Sequence, residues 1–180
     1  PLQFESTAYQ LNKPIKGDAL IAFSKKKVLE LSRYYQDRGF KTSIIYGDLP
    51  PEVRRIQYQS FSEGQSELLI STDAIGMGVN LPIRRIVFVS AKKFDGEVVR
   101  ELTSQEVKQI AGRAGRKGIY EIGYVTGLDE HLAFVKEKLE CKDEVIQQAI
   151  IGPHESMLEI KGIPLIEKLM IWENHYQDIH

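Results

Sequence analysis

The sequence predicts an α/β domain built on a mainly parallel sheet. Three observations point there. Short apolar runs alternate with amphipathic helical patterns from Asp18 onward. Each run is followed by a cap or turn signal rather than by a second run in hairpin phase. The chain has 180 residues, 42% of them hydrophobic, which is enough to bury a core without staples.

The elements follow in order. Residues 1–17 show few apolar residues in phase and end in Lys13-Pro14 and Lys16-Gly17, so they read as a lead-in from a preceding domain. Ala19 to Phe23 is a short apolar run that fits a buried parallel strand. Ser24 is an N-cap for a helix through Val28, Leu29, Leu31, Tyr34 and Tyr35, which Gly39 stops. Lys41 to Tyr46 is the next strand, and Gly47-Asp48 a turn. Pro51 suits the first position of a helix that carries Val53, Ile56 and Phe61 on one face and ends at Gly64. Glu67 to Ser71 and Ile83 to Ser90 are strands. Lys92 to Leu102 is an irregular or hairpin insertion around Asp95-Gly96. Thr103 and Glu106 form a capping box for a helix through Val107 and Ile110. Tyr120 to Thr126 is the last strand and Asp129 to Leu139 a helix, so the domain spans 18–140. Residues 141–180 read as a helical appendage, broken at Gly152-Pro153 and at Gly162-Ile163-Pro164.

Composition bounds the function. One cysteine excludes a disulfide framework within the chain and a cysteine-based zinc cage. No run approaches the length of a membrane span, and PLQFESTAYQ has no signal-peptide pattern. The first residue is not methionine, so a fragment or processed product is expected, in a soluble, reducing setting. Residues 1–118 hold 19 Lys/Arg against 13 Asp/Glu, and residues 119–180 hold 5 against 12. A basic body beside an acidic tail allows a nucleic-acid or phosphate partner; ordinary solvated charge is the alternative.

Three segments carry chemistry. In Gln109-Ile110-Ala111-Gly112-Arg113-Ala114-Gly115-Arg116, two arginines three apart can project the same way from a helix or turn. Guanidinium groups match phosphate oxygens bidentately, and the glycines permit close backbone approach. A basic turn packed by a glycine is the alternative. Ser71-Thr72-Asp73, leading to Gly76-Met77-Gly78-Val79-Asn80, follows a strand, where ligands meet α/β sheets. Thr72 can donate to a phosphate. Phe23-Ser24-Lys25-Lys26-Lys27 is a third strand end running into a helix start. A solvated first turn explains Lys26 and Lys27 equally well. No Gly-Lys-Ser/Thr occurs, so the chain has no P-loop of its own. Asp129-Glu130-His131 opens a helix, where acids suit the dipole, and the histidines lack metal-ligand spacing; no metal site is expected.

AFSKKKV, YGDLPPEVR, LLISTDAIGMGVNLPIRRIVF and SQEVKQIAGRAGR stand in an order that resembles the second RecA-like domain of superfamily 2 DExH-type helicases. Within it, the TDAIGMGVNLPIRRIVF stretch and the insertion before QIAGRAGR resemble the helicases of the mitochondrial RNA degradosome and their bacterial relatives. The likeness covers roughly residues 18–128. It implies a RecA-like parallel sheet sandwiched by helices. It implies that Arg113 and Arg116 reach ATP phosphates, that Gln109 orders the cleft, and that Gly78 and Asn80 link the nucleotide site to the nucleic-acid groove. It implies that Ser24, Lys25, Gly47, Asp48, Thr72 and Asp73 face the single strand. ATP and Mg²⁺ would then be held mainly by a first RecA-like domain that precedes this one, and this fragment alone would be inactive. RNA is the expected strand, an exoribonuclease a possible partner, and bacterial cytoplasm the expected compartment, with mitochondria the alternative. A DNA repair helicase domain and a non-catalytic nucleic-acid-binding module are the competing functions.

Overall fold

The computed structural model describes residues 1–75, 80–116, 118–142, 162 and 164–176. The chain divides into two compact units, Pro1–Asp143 and Glu144–His180.

The first unit is an α/β domain around a six-stranded, all-parallel sheet. Its strands are β1 (Leu2–Phe4), β2 (Asp18–Ile21), β3 (Thr42–Ile45), β4 (Leu68–Ser71), β5 (Arg85–Phe88) and β8 (Gly123–Gly127). They lie in the order β1-β8-β5-β2-β4-β3. β2 and β4 are buried at every residue, as apolar strands covered on both faces must be. The helices are α1 (Lys25–Gln36), α2 (Pro51–Ser62), α3 (Ser104–Ala111) and α4 (Asp129–Glu140). Alternate strand residues feed two cores. Ala19, Ile21, Leu69, Ile86, Phe88 and Val125 meet Tyr58 and Phe61 of α2, Val107 and Ile110 of α3, and Val135 of α4. Leu20, Leu68, Ile70 and Val87 meet Val28, Leu31 and Tyr35 of α1 on the opposite face. Each large aliphatic or aromatic side chain so buried contributes roughly 1.5–3 kcal/mol.

Local signals place the helix ends. Ser24 Oγ accepts from the Lys27 amide at 3.2 Å, and Gly39 adopts φ +86° past the end of α1. Thr103 and Glu106 form the reciprocal capping box of α3. The insertion is an antiparallel hairpin of β6 (Lys92–Phe94) and β7 (Val99–Glu101) around Asp95-Gly96.

One expectation needs correction. Of the face expected to be apolar on α2, Phe61 is buried, joined by Tyr58, but Val53 and Ile56 do not face the core: they are 40% and 58% exposed. Within residues 1–17, β1 adds an edge strand to the sheet by pairing with β8. The segment after β1 is held down by charge. Fully buried Asp18 accepts from Tyr9 Oη (3.0 Å), the Ile15 amide (2.8 Å) and Arg85 Nε and Nη2 (3.0 and 2.8 Å). Arg85 also reaches Glu5 at 3.0 Å and lies 5.0 Å from the Tyr9 ring centre. Burial and then the Asp18 charge push the Tyr9 phenol far above its ordinary range. Burial opposes the Arg85 charge, yet Asp18 and Glu5 outweigh it and raise its pKa.

In the second unit, α5 (Leu165–Tyr176) begins directly after the Gly162–Pro164 break. The Gly152-Pro153 break and the helical pattern before it lie outside the described residues.

Candidate functional site

Parallel strands put all their carboxyl ends on one edge of the sheet, and the loops that leave that edge gather there. β2 delivers Phe23, Ser24 and Lys25; β3 delivers Tyr46, Gly47 and Asp48; β4 delivers Thr72, Asp73 and Ala74. These loops, with Lys93, Leu102, the Glu106, Gln109 and Ile110 side of α3, and Arg113 just beyond it, line one cavity of about 520 Å³. That volume is in the range of small-ligand pockets.

Each loop is held by its own bonds. Lys25 Nζ sits 4.9 Å from the Tyr46 ring centre, a cation–π contact that aims the ammonium at the cavity wall. Arg54 of α2 donates through Nη2 to the Gly47 carbonyl at 2.8 Å and the Tyr46 carbonyl at 3.2 Å, and so pins the Gly47-Asp48 turn. Thr72 is mostly buried, and its Oγ1 accepts from the Ala74 amide at 3.3 Å. That leaves the hydroxyl proton for another acceptor. Asp73 Oδ2 is paired with Lys93 Nζ at 3.0 Å.

Electrostatics distinguish the two sides of the cavity. Glu106 takes both terminal nitrogens of Arg100 (2.9 and 3.0 Å), Lys93 Nζ (2.8 Å) and the Thr103 amide (2.9 Å). The Arg100 bonds first, then Lys93 and Thr103, hold its carboxyl far below the ordinary glutamate range. The Lys93 pKa is raised, chiefly by the Glu106 bond. Among the described residues, Lys25 and Arg113 have no carboxylate partner. The cavity thus presents two unpaired cations and a donor hydroxyl, which suit phosphate oxygens, beside one carboxylate, Asp48, that has no ion pair among the described residues.

Of the candidate residues, Ser24, Lys25, Gly47, Asp48, Thr72, Asp73, Gln109 and Arg113 all line this cavity. Arg116 and Asn80 do not. Between Arg113 and Arg116 the chain has left α3, which ends at Ala111, and turns at Gly115, φ +86°. Arg116 instead forms a backbone bridge with Tyr120, with N···O distances of 2.9 and 2.8 Å. Gly78 lies outside the described residues.

The turn is seated by close backbone approach. A Cβ on Gly123 would lie 2.4 Å from the Ala114 carbonyl carbon and oxygen, and the Gly115 amide donates to the Ile83 carbonyl at 2.8 Å. Gly123→Ala is therefore expected to destabilise the domain by about 1–3 kcal/mol, because backbone rather than a flexible side chain must yield. Urea denaturation of this chain measures it.

The order of segments and their assembly at one sheet edge can now be compared with known proteins. The profile of the helicase conserved C-terminal domain matches residues 3–118. The chain belongs to the helicase C-terminal domain family. Within that family it is 40% identical over 150 residues to the mitochondrial ATP-dependent RNA helicase SUV3 of Saccharomyces paradoxus, covering 79% of this chain and 20% of that protein. It is 38% identical over 153 residues to the human mitochondrial ATP-dependent RNA helicase SUPV3L1, covering 80% of this chain and 20% of that protein. The helicase domain described here thus spans about a fifth of the length of these relatives. Its fold is also that of the C-terminal domain of the DEAD-box protein Dbp5. The TM-score is 0.54 at 22% identity, covering 69% of this chain and 68% of that one. The sheet is accordingly the RecA-like one that the motif resemblance implied, flanked by helices on both faces.

The cavity also holds residues that the motifs did not mark. Lys93 lies in the insertion, and its partners Asp73 and Glu106 are distant in sequence on either side. Tyr46 lines the cavity too, and Arg54 holds the Gly47 turn from outside it; both stand within YGDLPPEVR, a motif that gives neither a role of its own.

Proposed function

We propose that this domain is the second half of an ATP-dependent RNA helicase, closing on ATP with Arg113 while its strand-end loops grip a single strand. The observation that carries this is the convergence of eight candidate residues, from four separate segments, on one cavity of about 520 Å³. ATP and Mg²⁺ are held mainly by the first RecA-like domain. The residues of this chain fit a phosphate better than a metal: among the described residues Arg113 has no carboxylate partner, Asp73 and Glu106 are both occupied by Lys93, and Asp48 alone is left unpaired. Arg113 supplies positive charge where the transferring phosphoryl group develops negative charge. Gln109, one turn back on α3, orders the same wall. Arg116, together with Asn80, acts outside the cavity, at the face toward the first domain.

Strand binding works through sugar–phosphate contacts. Lys25 offers an ammonium, Thr72 a hydroxyl proton, and the Ser24 and Gly47-Asp48 turns their backbone. Such contacts are sequence-tolerant and weaken steeply with salt. Domain closure and reopening then move the strand across these loops. The relatives are mitochondrial RNA helicases, which favours RNA as the strand and mitochondria over bacterial cytoplasm as the compartment. An exoribonuclease as working partner belongs to the same proposal.

The test is ATP turnover by a protein carrying this domain and its upstream segment, with and without single-stranded RNA. RNA-stimulated turnover, with unwinding of RNA in preference to matched DNA duplexes, is the expected result. A folded protein with no turnover that still binds RNA would leave only a binding module. Preference for DNA duplexes would point to the repair-helicase alternative.

A further inference from the structure

The β6–β7 hairpin joins two parts of the cavity wall through one side chain. Lys93 Nζ bonds Asp73 in the loop after β4 and Glu106 in the first turn of α3, at 3.0 and 2.8 Å. Glu106 is gripped from the other side by Arg100, which faces Lys93 across the hairpin. Arg100 in turn bonds Asp95 in the hairpin turn at 3.1 Å. The Lys93 side chain is only 20% exposed, so its pairs are screened less than ordinary surface bridges. Among the described residues, this ammonium is the sole charged link between the Thr72–Asp73 loop and α3, the helix that leads to Arg113.

We propose that Lys93 is a positioning residue that couples strand occupancy of the Thr72–Asp73 loop to the setting of α3, and through it to Arg113. This rests on the function proposed above. An ammonium has three donors. Two are used by Asp73 and Glu106, and the third is available to a phosphate oxygen arriving at the loop. The phosphate then draws loop and helix toward a common centre. Without the ammonium, Asp73 and Glu106 face the same space as like charges, and the strand is felt by the loop alone.

Coupling of this kind is reciprocal: a nucleotide that sets α3 must change strand affinity by the same factor, typically about 5–150-fold. The experiment measures Kd for a fluorescent single-stranded RNA with and without a non-hydrolysable ATP analogue. It uses the protein carrying both helicase domains. In Lys93→Met the factor is expected to fall to within about twofold of unity, against that typical span. Lys93→Arg, which keeps the charge and can bridge both acids, is expected to restore most of it. Lys92→Met, on the neighbouring exposed position, is expected to leave it intact. If Lys93→Met melts early, Lys93→Gln provides the same comparison with an arm of similar length. A Met or Gln variant with the full factor overturns the role of Lys93 while leaving the helicase proposal standing. An unaltered protein that does not bind RNA, or whose RNA affinity ignores the analogue, overturns both.

Discussion

Arg113→Ala, in a protein carrying both helicase domains, is expected to lower kcat for ATP by about 10³-fold or more, the lower end of what an arginine finger supplies. The reasoning is geometric. Arg113 lines the cavity just beyond α3, with no carboxylate partner among the described residues, so its charge is available to a phosphate brought by the facing domain. A charge that meets the phosphoryl group only at closure acts on the transition state. The loss should therefore fall on kcat more than on KM, and single-strand affinity should drop far less. Arg113→Lys is expected to recover little, because a point charge does not reproduce the guanidinium fork. Steady-state ATPase assays with saturating RNA, beside fluorescence titration of the strand, read both quantities. A variant that keeps its kcat would remove Arg113 from the reaction.

Asp18→Ala should be the most destabilising single change in the domain, by about 3–5 kcal/mol, the cost of orphaning a buried charge. Asp18 is fully buried and satisfies Arg85 through two bonds, as well as the Tyr9 hydroxyl and the Ile15 amide. Truncation strips all four at once and leaves Arg85, 13% exposed, with Glu5 as its remaining carboxylate. Asp18→Asn keeps an acceptor and should cost less. The readout is the midpoint of urea denaturation at unchanged slope, which separates lost stability from a changed unfolded state. A loss below about 1 kcal/mol, the level of an exposed pair, would mean that the network is ornament rather than clamp.

These two effects lie at opposite edges of the sheet, and they differ in how far the sequence reveals them. Phosphate-facing residues are legible because each sits at a strand end, and in a parallel sheet strand ends converge. Ser24, Gly47 and Thr72 are far apart in sequence, yet knowing that the three strands run the same way is enough to bring them together. Caps are legible for the opposite reason. Ser24 with Lys27, and Thr103 with Glu106, satisfy groups only three residues away. What stays hidden is every partner chosen by tertiary packing. Nothing near Lys93 announces Asp73 or Glu106. Nothing near Gly123 announces that Ala114 will press on it. Val53, Ile56 and Phe61 fit one apolar face by spacing, but only Phe61 is buried, with Tyr58 beside it, while Val53 and Ile56 stay exposed. The separation of Arg113 from Arg116 follows from the left-handed backbone at Gly115, a position that also reads as an ordinary flexible glycine.

The pairing of β1 with β8 bears on how the domain is made in the cell. Leu2 is in register with Gly123 and Phe4 with Val125, so the strand of this sheet that is synthesised first has the strand synthesised last as its neighbour. Contacts of such long range close late and slowly. Synthesis at roughly 5–20 residues per second leaves β1 waiting several seconds for its partner. During that interval the nascent sheet can grow around β2, β4 and β3, while the β1 segment and the β5 side remain open.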